Sequence, residues 1–400
     1  MKPFTLPNGQ PELPDGWRWV RTRFLCDVET GTSDTVGAVD EGDYPFFVRS
    51  DEIEHSNEFT YDTEAVMTSG DGAGVGKIFH HYSGRFLAHQ RVYVMSQFRG
   101  CVPRFFYYYL SSEFGPQVLA GTAKSTVESL RRHMLTDFVV AVPRSREEQE
   151  NIVAFLDRET AQIDAMIGAQ RDLVAALEDR RGAVLEGALN DVWAYPHRRL
   201  QWVYRVSSDC NQSDLEVLSV YRDFGVIPKS SRTDNFNKTP ENVERYLVVR
   251  PNDLVINRMK AWQGSLGVSS HLGIVSGDYE VVRPVTPELL PEFAHFMLRS
   301  PRLIGEYRAR STGIRPAQWR LYWDQMGRVD VPIPPLDVQE AQLPRVKASL
   351  SRIDATINAA NDSIALMQER RAALISAAVT GRIDPRTGKE TTPGKVLESV

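Results

Sequence analysis

One long helical pattern, written twice 190 residues apart, constrains this chain more than any other feature. The first copy spans 145–189. Adding 190 carries Gln149-Glu150 onto Gln339-Glu340, Ile163-Asp164 onto Ile353-Asp354, and Arg180-Arg181 onto Arg370-Arg371. Each copy follows a proline-bearing strand exit, Val142-Pro143 or Ile333-Pro334-Pro335. A repeat half a protein long signals duplication of a domain-plus-helix unit, not a solenoid. Within the first copy, a positions read Val153, Thr160, Ile167, Val174, Arg181 and Ala188, and d positions read Leu156, Ile163, Gln170, Leu177 and Val184. The second copy keeps this register, with Leu350, Ile357 and Ile364 at a and Val346, Ile353 and Met367 at d. A narrow a/d seam is the pattern of a coiled coil. At 1.5 Å per residue the first helix is roughly 60 Å long, too long to bury in one small domain. Two matching seams in one chain predict an antiparallel pair acting as a spacer between two globular units.

Local signals refine this expectation. Ser145 with Glu148 and Asp337 with Glu340 have capping-box spacing. Pro344 predicts a kink or a late start in the second helix, because a proline inside a helix lacks the amide donor. Arg181 and Arg371 occupy seam positions in both copies. Either the coil ends there or another chain supplies an acid, so both are assigned to a partner interface.

The four hundred residues hold 42% hydrophobic residues, which fits two or more globular domains. Apolar runs all fall short of the ~20 residues that span a bilayer, and the N-terminus lacks a signal-peptide core. Three widely spaced cysteines match neither a disulfide framework nor zinc spacing. A cytoplasmic protein without membrane or metal follows. Net charge is −5 overall but uneven, −5 over 1–142 and +3 over 190–333. A nucleic-acid surface must therefore be a local patch, more evident in the second half.

The expected organisation is a domain at 1–142, a helix at 143–190, a second domain at 191–333, a second helix at 334–381 and a flexible tail at 382–400. Strands are expected at 44–48, 65–68, 91–95 and 138–142, and in the second domain at 246–249, 254–257, 279–283 and 329–333. Helices are expected at 104–119 and 288–299. The aromatic run Phe105–Tyr109 invites a base-stacking role, but its helical setting favours the core. Residues 70–77 read GDGAGVGK. Asp71 and Ile78 stand where a P-loop needs glycine and Ser or Thr, and Val75 or Lys77 falls at the third glycine of G-x-G-x-x-G. A glycine-rich hairpin offering Lys77 to a phosphate is the better reading. Adjacent His80 and His81 point to opposite faces of a strand, so with His89 and Cys101 they make a poor metal set.

Binding chemistry is richest at 257–264, NRMKAWQG, where Arg258, Lys260 and Trp262 follow a strand. Arg302, Arg308, Arg310, Arg315 and Arg320 face only Glu306, with Ile314-Arg315 in an exposed loop. Lys124 marks the corresponding loop of the first half. Arginine and lysine suit phosphates and guanine, and amides suit adenine. The DNA-contacting set is therefore Lys77, Lys124, Arg258, Lys260, Trp262 and Arg315.

Four segments then resemble the specificity subunits of type I restriction–modification systems: Leu13-Pro14-Asp15-Gly16-Trp17; 65–95 with DGAGVGKIF; 253–265, DLVINRMKAWQGS, with the following Val275-Ser276-Gly277-Asp278-Tyr279; and 370–384, RRAALISAAVTGRID. The resemblance implies an α+β fold of two mixed α/β target-recognition domains with a pseudo-twofold repeat. Each domain would read half of a bipartite, asymmetric site in double-stranded DNA. The helices would recruit two adenine-N6 methyltransferase subunits, which restriction subunits could join. The chain itself would be non-catalytic and bind no cofactor, S-adenosylmethionine residing in the methyltransferase. A stand-alone DNA-binding regulator and a nucleotide hydrolase built on 70–77 are the competing classes.

Overall fold

The computed structural model of the chain describes residues 13–390, except 35–37, 73–74, 120–128, 223, 233–238, 241 and 316–317. It divides into two compact units, 1–169 with 363–400 and 170–362. The cut falls within both long helices, Arg146–Ala188 and Leu336–Val379. Each unit therefore holds one globular domain and a segment of each helix.

In the first unit, strand Trp17–Arg21 pairs antiparallel with Val139–Pro143. A six-stranded sheet runs in the order Asp27–Thr30, Val92–Ser96, Tyr61–Ser69, Phe79–Ala88, Tyr44–Phe47, Glu54–Ser56. Pairing is antiparallel except between Tyr44–Phe47 and Phe79–Ala88. Helix Pro103–Leu119 buries Phe105, Phe106, Tyr108, Tyr109 and Leu110 in the core, which spends the aromatic run on packing. Arg104 and the Tyr108 hydroxyl both bond Asp157 of the central helix, at 2.9 and 2.5 Å.

The second unit is built on a four-stranded sheet in the order Tyr204–Val206, Tyr279–Pro284, Leu254–Asn257, Leu266–Val268. Strand His197–Arg199 pairs with Asp330–Pro332 as Trp17–Arg21 does with Val139–Pro143. Helix Pro291–Met297 buries Phe293, Ala294 and Met297. The expected helix at 288–299 is shorter than predicted. The arginine-rich stretch after it, where the sequence predicts no element, begins as a helix, Pro301–Arg310, with Leu303 and Tyr307 one turn apart and buried.

The long helices pair antiparallel within each unit. In the first, Ile152, Phe155 and Leu156 from the start of the central helix share a core with Ile375, Ala378 and Val379 from the end of the other. In the second, Leu185 and Leu189 share a core with Val346 and Leu350. The capping boxes form only in part. Ser145 Oγ accepts from the Glu148 amide at 3.3 Å, but the Glu148 carboxylate accepts from Trp17 Nε1 at 2.8 Å instead of closing the box. The second helix begins at Leu336, so Asp337 lies in its first turn, and the helix runs through Pro344 without a late start. Residues 383–390, expected in a tail, include the paired strands Ile383–Asp384 and Lys389–Glu390.

One buried residue pair sets the repeat in space. Gln149 Oε1 accepts from the Val102 amide at 2.7 Å, and its Nε2 donates to the Pro143 carbonyl at 2.9 Å and that of Gly100 at 3.3 Å. Gln339 repeats the arrangement with the Leu290 amide at 2.8 Å and the carbonyls of Pro334 and Glu288 at 2.8 and 2.7 Å. Val102 and Leu290 each precede the proline that opens a globular-domain helix. Each glutamine thus fastens a long helix to the strand exit before it and to the helix packed beside it. It satisfies backbone groups that burial would leave costly.

Candidate nucleic-acid interface

In the second unit, strand Leu254–Asn257 ends in a tight turn. The Ser265 amide returns to the Lys260 carbonyl at 3.1 Å, and Gly264 adopts φ +93°. A side chain at Gly264 would also meet Ile304 of helix Pro301–Arg310, so the helix abuts the turn closely. Ala261 is buried beneath, while Met259, Lys260 and Gln263 are exposed. Trp262 is half-buried, donates from Nε1 to the Met259 carbonyl at 3.0 Å, and packs edge-on against Trp319 at 5.3 Å. Trp319 lies in the second basic loop, whose base is tied by reciprocal Thr312–Arg320 backbone bonds of 3.0 and 2.9 Å. The two loops singled out from sequence therefore share one face. At its tip Ile314 is 96% exposed beside exposed Arg315.

Arg258 departs from expectation. It is half-buried and forms a 3.9 Å ion pair with Glu280, while its carbonyl accepts from the Leu321 amide. Burial raises the Glu280 carboxyl above its usual range, and Arg258 opposes that shift. Arg258 is a strut of the loop because a carboxylate three strands on in sequence, but adjacent in the sheet, claims its charge.

Beside Lys260 and Gln263 lies a groove of about 550 Å³, also lined by Arg181, Arg222, Arg232, Phe224, Asn358 and Asn361, with Glu178 and Asp354. The Arg232 guanidinium stacks over Tyr221 and Phe224 at 5.1 and 5.0 Å. Behind the rim, Arg299 donates to the Arg222 carbonyl and to His295 Nε2, the latter at 2.7 Å. Burial first, and the Arg299 charge second, push His295 down to about 3, so it stays neutral as the acceptor.

Arg181 and Arg371 are not free for another chain. Arg181 Nε lies 2.7 Å from Asp354 Oδ1 in the second unit, and Arg371 Nε lies 2.8 Å from Asp164 Oδ1 in the first. The two pairs are images under the 190-residue shift. The acid comes from the opposite helix of the same chain, just off the apolar seam where the heptad pattern did not look.

In the first unit, residues 70–78 connect antiparallel strands Tyr61–Ser69 and Phe79–Ala88, with Gly72 and Gly76 at φ +80° and +68°. A strand follows the loop where a nucleotide-binding loop opens a helix. Lys77 is exposed at its end. Asp71 is gripped by Arg49 at 3.1 Å and by Arg91; burial alone would raise its carboxyl, but these hydrogen bonds bring it below the usual range. Lys124 lies outside the described residues. His80 faces Phe47 and the Ser50 carbonyl, whereas His81 faces Glu64 and Arg104. Among the described residues no group of His, Cys, Asp or Glu is placed to hold a metal ion, and no helix is long and apolar enough to cross a membrane.

Residues 14–171 match the sequence family described as the type I restriction modification DNA specificity domain. The matched stretch is confined to the first half of the chain. The type I restriction enzyme EcoDI specificity subunit of Escherichia coli is 31% identical over 179 residues. That stretch is 45% of this chain and 39% of the relative's length. A chain from a structure of the type I R-M system, solved to explain complex assembly and conformational transition, shares the fold at 15% identity and a TM-score of 0.54. It covers 92% of this chain and 99% of its own. The S subunit of the type I system of M. genitalium aligns at 14% identity over 94% of this chain and 98% of its own, with a TM-score of 0.39. The matched stretch ends within the central helix, and so takes in the Gln149 clamp and Asp164.

Proposed function

We propose that this chain is the DNA sequence-recognition subunit of a type I restriction–modification complex. Each globular domain reads one half of a bipartite, asymmetric site. The long helices hold the two readers apart and recruit two adenine-N6 methyltransferase subunits, which bring S-adenosylmethionine and flip the target base. Restriction subunits join the same assembly. The chain itself carries no chemistry.

The observation that carries this reading is the duplication itself: one glutamine clamp and one Asp–Arg pair per half, on domains whose outward loops differ. Identical fixtures holding unlike readers suit a subunit that presents two different half-sites to two copies of one enzyme. The basic, aromatic face of Lys260, Trp262 and Arg315 supports DNA contact in the second half, and exposed Lys77 supports it in the first. Exposed Met166, Leu173 and Leu366 on the long helices support a docked protein. Half-sites read from one side of the duplex lie about 34 Å apart, one helical turn.

Mapping N6-methyladenine across the genome of the source strain, with and without this gene, tests the proposal. A bipartite motif that vanishes with the gene is expected. Unchanged methylation in a strain whose methyltransferase is expressed and co-purifies with the chain overturns it. A stand-alone regulator would instead bind its site tightly with no methyltransferase present.

A further inference from the structure

Each globular domain opens the same way, as strand, one-turn helix, strand: Trp17–Arg21, Thr22–Leu25, Asp27–Thr30 in the first, and His197–Arg199, Leu200–Val203, Tyr204–Val206 in the second. The match is close at the level of single bonds. The first helical amide donates to the residue before the paired strand, Thr22 to the Phe138 carbonyl at 2.9 Å and Leu200 to that of Val329 at 3.0 Å. The capping amides of Cys26 and Tyr204 return to Thr22 and Leu200. First and fourth helical residues are buried in both turns, Thr22 and Leu25, Leu200 and Val203.

The third residue is the outlier, and it is the same outlier twice. Phe24 is 63% exposed and Trp202 is 57% exposed. A guanidinium stands over each ring, Arg23 at 5.9 Å and Arg199 at 5.8 Å. One exposed aromatic is ordinary on a soluble surface. Two at equivalent positions, in halves whose other loops have diverged, need a common cause. Their spacing falls outside the 190-residue register, so only the structure brings them into correspondence.

We infer that Phe24 and Trp202 are matched anchors, each seating one copy of the same partner protein, the methyltransferase subunit; this rests on the function proposed above. Charge selects a protein over DNA. Around Phe24, Arg23 pairs with Asp137; around Trp202, Arg199 sits across the strand pair from Asp330, with exposed Arg328 nearby. A polyanion calls for one sign of charge, whereas protein interfaces ring a buried aromatic or arginine with both. Duplication selects the number: the half-sites differ, so what both halves share meets something identical on both sides.

The test is native mass spectrometry of the chain co-expressed with its methyltransferase. The wild-type chain carries two copies. Phe24→Ala and Trp202→Ala each retain one, the lost copy binding about 30-fold more weakly or worse, and the double variant retains none. Phe24→Trp keeps both. The copy held by the untouched half of each single variant reports a folded chain. Two copies on every variant overturn the anchors while leaving the functional reading intact. Two copies with weakened DNA binding overturn them in favour of a DNA contact. A wild-type chain that recruits no methyltransferase overturns the functional reading and the anchors together.

Discussion

The clamps at Gln149 and Gln339 agree within 0.1 Å in the amide bond and in the proline-carbonyl bond, yet the domains they fasten share little beyond their opening strand, one-turn helix and strand. The first carries a six-stranded sheet and a glycine-rich hairpin ending in Lys77; the second carries a four-stranded sheet and two basic loops locked by Trp262 and Trp319. Apart from the matched exposed aromatics Phe24 and Trp202, the chain repeats itself where it binds itself and varies where it faces outward. That contrast separates scaffold from reader more sharply than composition does.

The comparison can be broken most visibly with acid. His295 sits at about 3 against an ordinary 6.5, so between those values the unfolded chain takes up a proton that the folded second unit refuses. Stability is full above pH 6.5 and drains as pH falls towards 3, by on the order of 5 kcal/mol at most. His89 of the first unit is buried too, and His80, His81 and His89 are all lowered by burial, but among the described histidines only His295 is pushed down so far. Thermal melts at pH 7, 5 and 4 should show that unit loosening first, and His295→Gln should flatten the dependence. Next come the clamps. Gln149→Leu and Gln339→Leu each strand a backbone amide and two carbonyls, at a cost of about 2–3 kcal/mol in denaturant unfolding. Unequal losses would show the two fixtures to be alike in geometry only. On the reading face, Arg315→Ala should lower site affinity by about 1–2 kcal/mol and relax one base position, whereas Lys77→Ala should weaken all sequences alike and reduce the salt slope by about one. Smallest are the helix ion pairs. Both are partly exposed, so Arg181→Ala and Arg371→Ala should each cost about 0.5–1 kcal/mol, and exchanging Arg181 with Asp354 should restore most of it.

Much of this scaffold was legible in the chain because its signals are local. Apolar runs gave strands such as Leu254–Asn257, and the heptads gave both long helices. Only the His80-His81 part of strand Phe79–Ala88 is legible as strand, because residues 79–85, with two histidines, a serine and a glycine, are half-exposed or exposed and break the alternation. Helix Pro301–Arg310 was hidden by its arginines, which reduce the buried apolar pattern to Leu303 and Tyr307. The site was less legible for a different reason. Whether an arginine is spoken for depends on a carboxylate remote in sequence: Glu280 for Arg258, Asp354 for Arg181, Asp164 for Arg371. The glutamine clamps stood in plain view as matched positions of the repeat, but pairing alone carries no hint that their partners are backbone groups.

The two ion pairs have a genetic corollary. Each long helix carries its aspartate seventeen residues before its arginine, Asp164 before Arg181 and Asp354 before Arg371. Any such helix laid antiparallel to another satisfies both charges, whichever domain it came with. A crossover between two genes of this kind, anywhere in the helix-coding stretch, joins unfamiliar readers across a seam that already fits. On the function proposed above, new target sequences would then arise by shuffling existing parts, with no interval in which the scaffold must be rebuilt.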